Sequence, residues 1–121
     1  MFAASMIAAR ALVALLFILA GIAKITAPDL VVANMAAHGV PGFLLPLVIA
    51  LEIGAGVALL IGWRIEYAAG ALAAFCVAAA LLFHLKLSIP AERTLFFKDL
   101  ALAGGLLAMA LTALRARTAS R

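Results

Sequence analysis

One carboxylate of this chain lies far inside an apolar segment. Glu52 is about ten residues from either end of that segment, hence about 15 Å from each surface if the segment is a helix that spans a membrane. A charge at the centre of a bilayer costs roughly 2.5–3.5 kcal/mol on insertion scales. Glu52 is therefore expected to face other helices, where it is either protonated or paired with a cation, and a functional role is favoured.

Further ionisable residues lie in or beside three other apolar segments. If the four segments cross a membrane in antiparallel order, the end of the first, the end of the third and the start of the fourth lie on one side. The start of the first lies on the other side, so charged side chains would approach Glu52 from both. The sequence thus predicts a ligand or proton site, with no catalytic residue assigned. Its candidate residues are Glu52, Lys24, Lys98, Asp99, His84 and Arg10.

A second interpretation gives the same residues a structural role. Lys24 and Lys98 would extend their side chains to the membrane surface. His84 would lie among lipid headgroups, and Arg10 would anchor the end of its helix. Glu52 with one cation would then only hold the helices together.

Composition identifies the elements that must position these residues. Of the 121 residues, 69% are hydrophobic and 12% are charged, against roughly 45–50% and about 25% in an ordinary soluble domain. The mean hydropathy is +1.32. A soluble domain of this size cannot bury so much apolar surface, so the sequence predicts an integral membrane protein.

Four apolar blocks are each close to the roughly 20 residues that a spanning helix needs. They lack the period-two alternation of barrel strands, so the predicted class is an all-α membrane four-helix bundle, formed by residues 1–121 as a single domain. Thr26 is expected to cap a short interfacial helix that begins at Pro28 and ends near His38, between the first two spans. Small residues at four-residue spacing on the second span, Ala50, Gly54, Ala58 and Gly62, predict close helix packing there. The predicted spans are residues 6–25, 42–63, 65–87 and 95–114.

Several cofactor chemistries have no support in the residues. Cys76 is the single cysteine, so the chain has neither an internal disulfide nor a CxxC dithiol. Two isolated histidines, His38 and His84, do not form a metal- or haem-binding motif. We therefore expect no metal and no covalently bound cofactor, and any electron carrier would be external.

The charge balance predicts contact with lipid rather than nucleic acid. Nine basic against five acidic residues give a net charge of +4, but the positive charges are scattered at helix ends and in the tail. On the side of the two termini lie Arg10, Arg64, Arg115, Arg117 and Arg121; on the other side lie Lys24, Lys86, Arg93 and Lys98. Discounting Lys24 and Lys98 as intramembrane residues predicts cytoplasmic termini. An alternative is that the first apolar block is a signal peptide, because 13 uncharged residues separate Arg10 from Lys24.

Several stretches in this order resemble the DoxX family of small four-helix membrane proteins, which includes DoxD-like members. They are Arg10 followed by LFILAGIAK at residues 16–24, GVPG at 39–42, LEIGAG at 51–56, LFH at 82–84 and FFKDLALAGG at 96–105. The family commonly has an Asn after the Lys of the fourth helix. Here Asp99 follows Lys98, so a neutral hydrogen-bonding role is not carried over to that position.

The resemblance implies a bacterial inner-membrane protein associated with redox chemistry. The family is named for its likeness to a subunit of a thiosulfate:quinone oxidoreductase, and related branches include assembly or chaperone-like proteins. The leading hypothesis is a subunit of, or accessory to, a quinone- or thiol-linked membrane complex, with a quinone or lipid headgroup bound in a polar pocket around Glu52. Its partners would be the bilayer and either a redox subunit or a second copy of the chain. Whether it catalyses a reaction alone is left open.

Two hypotheses from other classes stay open. A proton-coupled transporter needs one buried carboxylate, which Glu52 supplies. A non-catalytic assembly factor would instead bind other membrane segments through its small residues, so Gly54→Leu would impair association more than Glu52→Gln.

Overall fold

A computed structural model describes residues 1–119, and in that range the chain is helical and contains no strand. The all-α membrane class is confirmed, and a short 3-10 helix, Gly42–Leu44, precedes α3. Arg121, one of the basic residues predicted on the side of the termini, lies outside the described residues. The α-helices are α1 (Phe2–Thr26), α2 (Pro28–Ala37), α3 (Leu45–Ile61), α4 (Ile65–Phe83) and α5 (Pro90–Ala119).

Four helical segments among the described residues are long and apolar enough to cross a membrane, and they correspond to the four predicted blocks. The last helix begins five residues before the predicted block and ends five residues after it, at Pro90 and Ala119. Proline fits the first turn of a helix, and the polar residues that follow it favour helix at a membrane surface. The predicted span ends where charged residues lower the average hydropathy, whereas the helical backbone hydrogen bonds continue past these residues.

The predicted short helix between the first two spans is present as α2, with Asp29 in its first turn. The prediction that Thr26 caps it is wrong. The capping position is Ala27, which offers no side-chain hydrogen bond, and Thr26 is the last residue of α1, where its hydroxyl donates to the Ala23 carbonyl at 2.8 Å. Because Thr side chains can bond to a carbonyl three or four residues earlier, Thr26 completes one helix instead of starting the next.

The described helices fall into two compact units, the first Met1–Arg64 and the second beginning at Ile65. The prediction of a single domain stays a prediction. In the first unit, α1 packs against α3 through two glycines. A Cβ on Gly21 would lie 2.5 Å from Cγ1 of Ile53, and a Cβ on Gly56 would lie 2.9 Å from Cγ1 of Ile18 and 3.4 Å from the Ala14 carbonyl. These two glycines let the helices approach closely.

The small residues predicted to form one packing stripe on the second span do not form a single contact surface. No atom lies within 4 Å of where a Gly54 Cβ would be, and Ala50 is exposed. Ala58 is buried, and Gly62 lies beyond the end of α3. The contact with α1 instead uses Gly56, which is on a different face of α3.

Gly62 ends α3 in the left-handed conformation, with φ of 77°, and a Cβ there would collide with the Arg10 guanidinium. We expect Gly62→Ala to cost about 1–2 kcal/mol for the backbone and about 1.5 kcal/mol more if Arg10 is displaced from its hydrogen bond. The matched control is Gly39→Ala, since Gly39 has φ of 74° but nothing within 4 Å. Thermal unfolding of both variants tests this, and equal losses would contradict the role given to Arg10.

The second unit is the pair α4 and α5. The buried face of α4 is mostly alanine, with Leu72 and Cys76 among the small residues, and that of α5 carries Leu106 and Met109. Small side chains on α4 let larger ones from α5 fill the contact. Cys76 is 2% exposed, as expected for a small buried hydrophobic residue. At Gly104 and Gly105 an added Cβ would have no atom within 4 Å, so neither glycine mediates this packing.

Candidate functional site

The first unit brings together two of the predicted site residues. Lys24 Nζ lies 2.6 Å from Oε1 of Glu52, and the exposed fractions of the two side chains are 25% and 3%. Among the described residues, Glu52 is the one charged residue that is buried. The ion pair therefore joins the end of α1 to the middle of α3, with the carboxylate inside and the ammonium partly open.

The Lys24 side chain is directed toward α3. Lys24 lies two residues before α1 ends at Thr26, and its ammonium contacts the Glu52 carboxylate of α3. A lysine so near a helix end is free to place its charge in water, so the inward direction indicates attraction to the carboxylate.

The ammonium is the part of this pair that a ligand can reach. Lys24 Nζ makes a close charged contact with Oε1 of the buried Glu52 at 2.6 Å, while the Lys24 side chain is 25% exposed. An ammonium has three N–H donors, so Lys24 can also donate to the polar group of a ligand.

Arg10 lies at the other end of the same helix pair. Its Nη1 donates to the Leu59 carbonyl at 3.1 Å, seven residues along α3 from Glu52, or about 10 Å along the axis. Helix ends leave carbonyls without partners, and a cation near a helix C-terminus is favourable. Arg10 thus caps α3, and the structure does not bring it to Glu52.

The second unit brings together His84 and Asp99 with a residue that sequence reasoning missed. Nδ1 of His84 lies 3.0 Å from Oε2 of Glu92, and Nε2 lies 3.7 Å from Oδ2 of Asp99. The imidazole thus links the residue after α4 to two acidic positions, two helical turns apart, on α5. Lys98 is exposed beside Asp99. His84 and Glu92 form a hydrogen bond at 3.0 Å, whereas the 3.7 Å contact with Asp99 is too long for one.

Two acidic residues outside the predicted set have structural partners. Glu92 precedes residue 95, where the fourth span is predicted to begin, but in the structure it lies in the first turn of α5. Glu66, in the first turn of α4, accepts a hydrogen bond from Arg117 in the last turn of α5. The Glu66–Arg117 contact could have been predicted from the positions of the two residues in the sequence. In an antiparallel helix pair, the start of one helix adjoins the end of the other, where opposite charges are favourable.

The described residues contain no group of three His, Cys, Asp or Glu side chains that could hold a metal ion. The ionisable side chains described above can instead form hydrogen bonds and ion pairs, and they lie in or beside apolar helices. Four hydrophobic spans, with ionisable groups inside them, define a multi-pass membrane protein.

The chain belongs to the DoxX family, whose match covers residues 5–85. It is also similar to the inner membrane protein YqjF of Escherichia coli strain K12, with 43% identity over 104 residues, which are 86% of this chain and 80% of that relative. This relative supports the predicted location in an inner membrane. No solved structure gives a significant match. The predicted cytoplasmic orientation of the termini stays a prediction.

Proposed function

We propose that this DoxX-family protein is a membrane subunit of, or accessory to, a quinone- or thiol-linked redox complex, in which Lys24 and Glu52 bind the headgroup of a quinone or similar lipid. The observation that supports the proposal is the buried Glu52 carboxylate in contact with a lysine that is 25% exposed. A partly exposed cation beside a carboxylate within apolar spans suits an amphipathic ligand.

The chemistry of a quinone headgroup matches this pair. A quinone carbonyl accepts hydrogen bonds, so the Lys24 ammonium can donate to it. The hydroxyl of the reduced form donates hydrogen bonds, and the Glu52 carboxylate can accept one. Hydrogen bonds to charged groups contribute about 1.5–3 kcal/mol each. The isoprenoid tail would remain among the apolar side chains of the spans, and electrons would pass to or from a separate carrier.

The proposal is tested by titrating decylubiquinone into nanodiscs that hold the purified protein, with empty nanodiscs as the background. Wild type is expected to bind one equivalent saturably. The informative variant is the double substitution Lys24→Met with Glu52→Gln, because it removes the ammonium and the negative charge together and leaves neither charge buried alone. Affinity is expected to fall at least tenfold, which corresponds to the loss of one charged hydrogen bond.

The control is Lys86→Gln, since Lys86 is exposed in the loop between α4 and α5 and also carries a positive charge. It is expected to bind like wild type. Uptake by wild type that does not exceed that of empty nanodiscs, or equal binding by the double variant, would rule out the headgroup site. A redox partner that co-purifies with wild type from native membranes would support the assignment to a complex.

A further inference from the structure

Two arginines lie at one end of the first unit without a carboxylate partner among residues 1–119. Arg10 uses one of its five N–H donors for the Leu59 carbonyl. Arg64 lies over the Trp63 ring, with its guanidinium carbon 5.8 Å from the ring centre. The acidic residues of this unit are elsewhere: Glu52 pairs with Lys24, and Asp29 begins α2.

The position of these residues relative to a membrane follows from the spans. One candidate span ends at Ile61 and the next begins at Ile65. The three residues between them, Gly62 to Arg64, must therefore lie at a membrane surface. Arg10 is at the same level, because its guanidinium occupies the space that a Gly62 side chain would need.

Both guanidiniums make a contact within the protein. Arg10 donates to the Leu59 carbonyl and lies against Gly62, and the exposed Arg64 lies over the Trp63 ring. Trp63 itself is 63% exposed, and its indole suits the boundary between headgroups and hydrocarbon. Guanidinium forks match phosphate oxygens.

We infer that Arg10, Trp63 and Arg64 form a binding site for the phosphate of an anionic phospholipid. This site is separate from the Lys24–Glu52 pair, because Glu52 lies about two turns before Leu59 in α3. The phosphate oxygens would accept hydrogen bonds from both guanidiniums, and the indole would pack against the part of the lipid next to its headgroup. Each basic residue near an anionic lipid surface contributes about 1 kcal/mol, which is about fivefold in affinity.

Trp63 is the single tryptophan of the chain, so its fluorescence reports on this site alone. The protein is reconstituted in phosphatidylcholine vesicles that contain increasing fractions of brominated phosphatidylglycerol or, in a parallel series, brominated phosphatidylcholine. Bromine quenches tryptophan on contact, so the ratio of the two quenching curves measures the preference for the anionic lipid. Wild type is expected to prefer phosphatidylglycerol at least fivefold.

Arg64→Gln is expected to lower this preference about fivefold, and it removes no hydrogen bond found among residues 1–119. Arg10→Gln is expected to lower it similarly, and Arg10→Lys, which keeps the charge, checks whether any loss reflects binding rather than folding. The control Lys86→Gln removes the same charge from the far end of α4 and is expected to leave the preference unchanged. Equal quenching by both lipids in wild type, or an equal loss in Lys86→Gln, would overturn the inference.

Discussion

Replacing Lys24 by Met is expected to destabilise the protein more than replacing Glu52 by Gln, and replacing both is expected to restore most of the lost stability. Lys24→Met leaves a carboxylate that is only 3% exposed without its cation, and breaking a buried ion pair in this way costs about 3–5 kcal/mol. Glu52→Gln leaves a lysine near a helix end, whose side chain can turn toward the membrane surface. We expect a cost of about 1–2 kcal/mol for that variant.

The double variant has neither charge, so its stability is expected to lie within about 1 kcal/mol of wild type. Reversible unfolding in mixed micelles of all four proteins gives the coupling energy directly. Lys86→Met serves as the reference for removing a lysine from an exposed position. Additive losses in the double variant, or a larger loss for Glu52→Gln than for Lys24→Met, would mean that the two groups do not act as a pair.

Gly56→Leu is expected to separate α1 from α3, whereas Gly54→Leu is expected to be almost neutral. The Gly56 Cβ would meet Ile18 and also the Ala14 carbonyl, which is backbone and cannot rotate away. Forcing a large side chain into a packed contact costs about 1–3 kcal/mol, and more where the backbone must move. Gly54, two residues earlier, has open space around it, so we expect a change below about 0.5 kcal/mol.

The same unfolding assay compares the two variants, which have identical composition. Gly21→Leu is a second test of the contact from the side of α1, where a Cβ would meet Ile53. Equal effects at Gly54 and Gly56 would contradict the packing described here. If Gly54→Leu leaves stability unchanged but abolishes association with another membrane protein, the assembly-factor hypothesis would gain support.

The features that depend on a single segment of the chain were predicted best from the sequence. Apolar length and composition predicted four spanning helices, and each has a counterpart in the structure. The depth of Glu52 within its span required it to face protein, and it is buried. Helix limits were less well predicted, as at Thr26 and Pro90, because a terminal turn depends on hydrogen bonds that hydropathy does not describe.

The partners of the charged residues could be predicted only in part. Antiparallel order places Lys24 and Arg10 on opposite sides of Glu52, and the sequence allowed either to be its partner. The structure pairs Glu52 with Lys24 and directs Arg10 to the end of α3. The 3.0 Å contact of His84 with Glu92 was not predicted, because Glu92 precedes residue 95, where the fourth span was expected to begin.

The sequence alone therefore determined the environment of this protein, its helices and the depth of the Glu52 carboxylate, because hydropathy and helical rise are properties of each segment by itself. The tertiary structure decided which cation meets that carboxylate and which glycines carry the helix contact. On α3, Gly54 and Gly56 are equally small, and only the rotation of α3 relative to α1 makes one open and the other buried. Such rotation and register are set by side-chain packing between segments, which no single segment encodes.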